Sequence, residues 1–478
     1  MLRNILVFLL FFAFTAQIAA AQNIIQFKVS KPYCIFNFLE AANNSSRSPR
    51  LLKKIIGAGT KGDENFKAIR DSFNNLQLDY SYKREEYPAS RRQYRSTYDL
   101  IDIALVSAGT IAEFKNRAIG ILPNASLQQL VELLQAAEPY YDRLIWNDNQ
   151  QKLNNQAKAL EAYAGTSSGL FNAISHFYNS TWTADIPFIV ALYPIPGARG
   201  GTSATPHANS LCVGVLTEST DHIGTMSVVL HEMCHVLYDE QTSAFQHRIA
   251  HWFDGNSSAY KQYAYNFFDE GLATALGNGW AYTNLNGKPD TTAWYNNVYI
   301  DGFGRALYPL VSDYINGKQQ MDSLFVNKAI GLFAKTFPRA INDYAIALNN
   351  VNIYTDVGHG GDTNDLLNSI GEYFHLTSTW LMTPILDDGV LKAIAAKQQT
   401  QLIVITKNHA VELAALKKIF PQLGPYLHQK PGSVFNLSFI DDKKRPVIIL
   451  NGDNKADISG LLKQMKTQQY FDLKKVMQ

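Results

Sequence analysis

The feature that most constrains the fold is a pair of histidines four residues apart, in His231-Glu232-Met233-Cys234-His235. Residues at this spacing lie on one face of an α-helix, so a helix here presents both imidazoles to the same point. The side chain of Glu232 is rotated by roughly 100° from that of His231, so it borders this point without sharing the face. The H-E-x-x-H pattern therefore predicts a helix with two metal ligands and an adjacent carboxylate.

An acidic pair stands downstream in an otherwise apolar run, Phe267-Phe-Asp-Glu-Gly-Leu-Ala-Thr-Ala275. Carboxylates in such surroundings favour a cation as partner, because burying an unpaired charge is costly. A catalytic zinc site has three protein ligands and one open position. We therefore predict Zn²⁺ as the cofactor, held by His231, His235 and a carboxylate from a second helix, with Glu232 as the general base.

These two motifs carry a resemblance to a known group. H-E-x-x-H followed on a second helix by Glu270-Gly-Leu-Ala273 resembles the gluzincin metallopeptidases, which include thermolysin and the zinc aminopeptidases. The resemblance covers roughly residues 185–330. It implies that Glu270 is the third metal ligand beside His231 and His235 and that Glu232 is the base, with Asp269 where many relatives have Asn. It implies hydrolysis of peptide bonds by metal-activated water, on a mostly helical zincin-like domain with a small sheet beside the motif helix.

The sequence departs from this group in two ways. The gap from His235 to Glu270 is longer than in the best-known gluzincins, which an insertion over residues 239–264 explains. The gap leaves other candidates for the third ligand, namely Glu240, His247, His251 and Asp269. The Gly-x-Met-x-Asn segment of zinc aminopeptidases is absent, which leaves endopeptidase or carboxypeptidase action open.

The metzincins are a different group of zinc peptidases, and their motif continues as H-x-x-G-x-x-H. This continuation is absent after His235.

Peptide hydrolysis also needs a hydrogen-bond donor for the oxyanion. In zinc aminopeptidases a Tyr-x-x-Gly that opens a helix supplies this donor, and Tyr299-Ile-Asp-Gly302 resembles it. The resemblance therefore adds Tyr299 to the catalytic residues. Tyr308 and His359 are the alternatives, and an ordinary packed tyrosine is the competing interpretation. We expect residues 210–215 to form the edge strand that lines the cleft and accepts an extended substrate.

The first residues follow the layout of a secretory signal peptide. Arg3 precedes an apolar run over residues 5–14, and small residues end the segment at Ala19-Ala-Ala21. We predict cleavage near Ala21 and a secreted or periplasmic mature protein without an integral membrane segment. A membrane anchor is the alternative, but the apolar run is short for one.

Composition and missing motifs exclude several classes of partner. The formal charge is +2, which gives no basis for binding nucleic acid. No G-x-S-x-G elbow or phosphate-binding loop is present, so neither a serine hydrolase nor a nucleotide enzyme is supported. The expected partner is a peptide or protein substrate. Three cysteines exclude a disulfide scaffold, although a bridge between Cys34 and Cys212 stays open; Cys234 is expected to be buried.

The chain is predicted to be an α+β protein in four segments. These are a signal peptide (1–21), a mainly helical region (22–185), a gluzincin-like catalytic domain (186–395) and a small α/β unit (396–478). In the last segment, 435–440 and 447–450 are expected to form a hairpin. Two other functions stay open: an inactive peptide- or glycan-binding protein on a zincin scaffold, and a zinc amidase acting on cell-wall linkages.

Overall fold

A computed structural model describes residues 24–43, 48–80, 82–83, 86–88, 91, 94–183, 185–358, 361–426 and 434–472. The predicted signal peptide with its cleavage site and His359 lie outside these ranges. The described chain is mostly helical with small mixed sheets, which confirms the α+β class. Among the described helices, none combines the length and the apolar character needed to cross a bilayer.

The helices account for most of the described residues. In chain order they are α1 (Lys31–Ala42), α2 (Arg50–Gly59), α3 (Glu64–Asn74), α4 (Thr97–Ser107), α5 (Ile111–Arg117), α6 (Asn124–Tyr141), α7 (Asn147–Phe177), α8 (His222–Asp239), α9 (Ser243–Asp254), α10 (Lys261–Asn266), α11 (Phe268–Ala273), α12 (Tyr282–Asn286), α13 (Val298–Asn316), α14 (Ser323–Thr336), α15 (Tyr344–Asn349), α16 (Gly361–Gly371), α17 (Asp388–Ala396), α18 (His409–Ile419) and α19 (Lys455–Gln468). Short 3₁₀ segments cover Ala340–Asn342 and Pro421–Tyr426. A π-helical segment covers Asp142–Trp146, and a second one, called here the π segment, covers Thr274–Ala281.

The strands are β1 (Ile25–Lys28), β2 (Tyr82–Lys83), β3 (Tyr94–Arg95), β4 (Phe188–Ile195), β5 (Ala204–His207), β6 (Ser210–Leu216), β7 (Asn350–Thr355), β8 (Ser378–Met382), β9 (Thr400–Ile405), β10 (Phe435–Ile440) and β11 (Pro446–Asn451). Strands β2 and β3 form a short antiparallel ribbon, and the others form two larger sheets.

The chain divides into two compact units. The described residues of unit 1 fall within 1–250 and 269–325, and those of unit 2 within 251–268 and 326–478. These units differ from the predicted segments, because strands pair across both internal boundaries that we expected. Strand β1 pairs with β4 across residue 185, and β7 pairs with β9 across residue 395.

Unit 1 contains a four-stranded sheet in the order β1-β4-β6-β5. Strands β1, β4 and β6 are parallel, and β5 is antiparallel to β6. The edge strand beside β6 is therefore β5, and the prediction that residues 210–215 form the edge was wrong. Pro206 within β5 fits an edge position, because proline has no N–H to donate to a ladder.

Buried apolar residues of α1 and α6, with residues of β4, belong to the core of unit 1. The cysteines are free and buried, so Cys34 and Cys212 form no bridge and Cys234 is buried as predicted.

Unit 2 contains a five-stranded sheet in the order β10-β11-β9-β7-β8. Four of its strands are parallel, and β10 is antiparallel to β11, which confirms the predicted hairpin. Two clusters of buried apolar side chains form its core.

Candidate metal centre

Helix α8 presents the H-E-x-x-H motif from a buried position in unit 1. It begins after Asp221, whose carboxylate accepts a hydrogen bond from the backbone N–H of Gly224 at 2.8 Å and so caps the helix. Its apolar residues are buried, and the motif lies among them: His231 is 5% and Glu232 is 9% exposed. The packing holds the histidines and the glutamate in one orientation.

The π segment lies directly on the first histidine of the motif. A Cβ atom added to Gly277 would stand 2.6 Å from both the backbone N and the Cα of His231. Only glycine therefore permits this approach of the two backbones. Because α11 leads straight into the π segment, the same approach fixes Glu270 and Asn278 next to His231.

Three ligand atoms face one point between α8 and α11. The Nε2 atoms of His231 and His235 are 3.1 Å apart, and each is 3.7 Å from Oε2 of Glu270. The corners of a triangle with these sides all lie about 2.0 Å from one central point, which is the length of a zinc–nitrogen or zinc–oxygen bond. This group could hold a metal ion. Oε2 of Glu270 is buried and has no hydrogen-bond partner among the described residues, as expected of a metal ligand.

Both imidazoles are oriented through their other nitrogen. Nδ1 of His231 lies 2.8 Å from Oδ1 of Asn278, and Nδ1 of His235 lies 3.0 Å from Oδ2 of Asp269. With a metal ion bound, each Nδ1–H would donate to its oxygen, and each Nε2 would present its lone pair to the ion. Partners of this kind fix the tautomer and ring orientation of metal-binding histidines.

The charges at the site also favour a cation. Burial alone would raise the pKa of Glu270, but His235 and His231, together with a hydrogen bond from Tyr295, lower it to about 2. Burial alone would lower the pKa of His235, yet the carboxylates of Asp269 and Glu270 raise it well above its usual value. The effect of the two carboxylates on the pKa of His235 is therefore larger than the effect of burial.

Glu232 differs from the other acids of the site because it has no partner. Its side chain makes no hydrogen bond or salt bridge with any described residue. Burial raises its pKa, although His231 and His235 act in the opposite direction. It lines the cleft beside the three ligand atoms. A buried carboxylate without a partner is costly, and its place at this cleft points to a chemical role.

The cleft over the ligand atoms has a volume of about 720 Å³. The glycine-rich segment over residues 200–203 lines it together with Ala204 and Pro206 of β5, and so do Trp294 and Tyr295. The strand that lines the cleft is therefore β5, and not the strand over residues 210–215 that the sequence predicted.

The tyrosine in the cleft is Tyr295, which the sequence did not predict. Tyr299 lies in the first turn of α13 and is not among the described residues that line the cleft. The ring of Tyr295 is 5.9 Å from that of His231, and its hydroxyl is close enough to Glu270 for the carboxylate to raise the pKa of Tyr295. Tyr308 packs on Trp294, outside the described lining. No motif marks Tyr295, because it lies in the loop before α13 and only the tertiary fold brings it to the site.

The predicted set His231, His235 and Glu270 comes together, and the rival ligands do not join it. Among the described residues, Glu240, His247 and His251 lie outside the group that could hold the ion. Asp269 supports His235 instead.

Replacing Gly277 by Ala should disrupt the centre. The added methyl group would overlap the backbone of His231, so the π segment would have to move and take Glu270 and Asn278 with it. We expect metal affinity to fall more than about 10-fold and the free energy of unfolding to fall by about 1–3 kcal/mol. Competition with a chromophoric chelator and thermal unfolding measure these effects. Gly169→Ala, in open space on α7, is the matched control: it should leave metal affinity unchanged and raise the free energy of unfolding by about 0.5–1 kcal/mol, because alanine is favoured over glycine inside a helix. A Gly277→Ala protein with unchanged affinity contradicts the close approach.

The arrangement can hold a divalent cation beside an unpaired carboxylate, in a cleft wide enough for a ligand. The chain matches no protein-family model, no curated protein and no solved structure.

Proposed function

We propose that the protein is an exported zinc metallopeptidase of the gluzincin type, with a zincin-like catalytic domain. The observation that carries the proposal is the convergence of His231, His235 and Glu270 on one point, with Glu232 unpaired in the same cleft. Two histidines and one glutamate are the ligands of catalytic zinc in thermolysin and carboxypeptidase A. Export follows from the signal-peptide pattern that ends near Ala21.

The ion and the protein contribute different parts of the chemistry. When bound, Zn²⁺ supplies a Lewis acid that acidifies water and polarises the peptide carbonyl. Glu232 then acts as the general base. It accepts a proton from the attacking water and donates this proton to the departing amine. The missing partner of Glu232 supports this role, since a carboxylate already engaged in a salt bridge would accept a proton poorly.

An extended peptide is the substrate that suits the cleft best. Among the described strands, β5 pairs with β6 alone, so its other edge offers backbone groups to an added strand. Ser203 and Ala204 lie on the cleft wall at this edge. Pro206 has no N–H to donate, which limits the number of hydrogen bonds that β5 offers.

We assign the oxyanion donor to Tyr295 in place of Tyr299. Tyr295→Phe should lower kcat for peptide hydrolysis by about 10²-fold, because one hydrogen bond to the developing oxyanion is lost, and KM and zinc content should change little. Steady-state kinetics with metal analysis test this. Tyr299→Phe is the control and should retain nearly full activity. Equal losses in the two variants, or an unaffected Tyr295→Phe protein, contradict the assignment.

Metal analysis combined with digestion of a broad peptide library tests the function itself. We expect one zinc ion per chain, cleavage of a subset of peptides, loss of cleavage with a chelator and recovery with added zinc. Bound zinc without cleavage of any peptide would instead indicate a binding protein. A cleaved cell-wall amide with all peptides intact would indicate an amidase.

A further inference from the structure

A second pocket opens from the cleft beside the metal centre. It has a volume of about 330 Å³ and shares wall residues with the cleft, among them Ser203, Val228, Asn278 and Trp294. Asn278 also supports His231, so the pocket begins directly behind a metal ligand. The cleft and the pocket form one continuous space, into which the unpaired carboxylate of Glu232 is turned.

The second pocket is negatively charged. Asp221 and Asp290 line it, and no Lys, Arg or His stands among its described lining residues. Burial raises the pKa of Tyr282, and Asp290 and Asp221 raise it further, so both carboxylates act on one region of the pocket. Arg305 stacks on Trp294 at 4.4 Å, but its charge is balanced by Asp301 at 3.1 Å.

Local hydrogen bonds hold both carboxylates in place without neutralising them. Asp221 accepts from the backbone of Gly224, and Asp290 accepts from the backbone and the hydroxyl of Thr292. Neither carboxylate forms an ion pair with a described residue. Asp221 is exposed and Asp290 is half-buried, so water and salt screen both charges. Two fixed charges of the same sign on one pocket wall favour a cationic ligand.

We propose that this pocket, here called the acidic subsite, binds the side chain of a lysine or arginine in the peptide substrate. The proposal rests on the function proposed above and names the substrate class of the same cleft. Asp221 precedes His231 by ten residues, which is about 15 Å along α8. An extended peptide advances about 3.3 Å per residue, so a long basic side chain two or three residues from the cleaved bond reaches the subsite.

Peptide binding to the zinc-loaded Glu232→Gln protein tests the proposal without turnover. The probes are fluorescent peptides that differ only in carrying Lys, Gln or Glu at one position, which is moved along the peptide. We expect one position at which Lys binds about fivefold more tightly than Gln at low salt, with Glu weakest. The advantage of Lys should shrink as salt is added.

Substitutions in the same background locate the effect. Asp221→Asn with Asp290→Asn should abolish the preference for Lys, because asparagine keeps the helix cap and the turn but removes the charge. Asp313→Asn is the matched control, since this exposed acid on α13 lies outside the described lining of both pockets. Equal binding of Lys and Gln peptides at every position, or a preference that survives the double substitution, overturns the proposal.

The two proposals fail separately. If the wild-type protein cleaves peptides but binding shows no charge preference, the acidic subsite is refuted and the peptidase function stands. If binding is charge-selective but the zinc-loaded wild-type protein cleaves no peptide, the peptidase function is refuted and the subsite stands.

Discussion

Replacing Glu232 by Gln should lower kcat for peptide hydrolysis by about 10²- to 10⁴-fold, which is the usual contribution of a general base. The amide is almost the same size as the carboxylate but does not accept a proton. Glu232 is not one of the three residues that could hold the ion, so zinc content should stay at the wild-type level. Single-turnover kinetics on a cleaved library peptide, with metal analysis of the same sample, measure both effects.

Asp239→Asn provides the matched control for this prediction. Asp239 is the last residue of α8 and lines the same cleft, but it lies four residues beyond His235. The variant should keep most of the activity. If Glu232→Gln turns over as fast as the wild-type protein, Glu232 is not the base and the mechanism is wrong.

Replacing Glu270 by Ala should have the largest effect on metal binding. It removes one of the three converging ligand atoms and leaves only the Nε2 atoms of His231 and His235, which are 3.1 Å apart. Loss of an outer partner alone weakens metal sites by about 10- to 100-fold, so we expect loss of the ligand to exceed about 100-fold. Competition between the metal-free protein and a chromophoric chelator gives the affinity, and circular dichroism checks that the variant is folded.

Two further variants distinguish the third metal ligand from residues that only lie near it. Asp269→Asn still offers an oxygen to Nδ1 of His235 but loses the charge, so we expect a decrease of about 10-fold. Glu240→Ala removes a residue that the sequence left open as the third ligand, and it should bind zinc normally. Normal affinity in Glu270→Ala, or a loss in Glu240→Ala alone, would assign the third ligand differently.

The sequence predicted those parts of the site that depend on local geometry. Histidines four apart on a helix must share a face, whatever surrounds them. The acidic pair Asp269-Glu270 was predicted to face a cation because unpaired charges are costly in an apolar run, and the choice of Glu270 came from the resemblance to the gluzincins. The C-terminal hairpin was predicted because two strand-like runs flank a short charged turn.

The rest depends on contacts between distant parts of the chain. Tyr295 reaches the site only because the loop before α13 folds over α8. Strand β5 was hidden in a segment rich in Gly, Ser and Thr, and it becomes a strand because β6 pairs with it. The pairing of β1 with β4, and of β7 with β9, could not be predicted, because these strands are far apart in sequence and leave no local signal.

The most direct test of the metal centre is anomalous scattering measured on both sides of the zinc absorption edge, from a crystal of the protein as purified. We expect one strong peak that appears only above the edge, about 2.0–2.2 Å from Nε2 of His231, Nε2 of His235 and a carboxylate oxygen of Glu270. A crystal grown with added zinc that shows no peak between these residues, or shows one held by other side chains, would contradict the assignment of His231, His235 and Glu270 as zinc ligands.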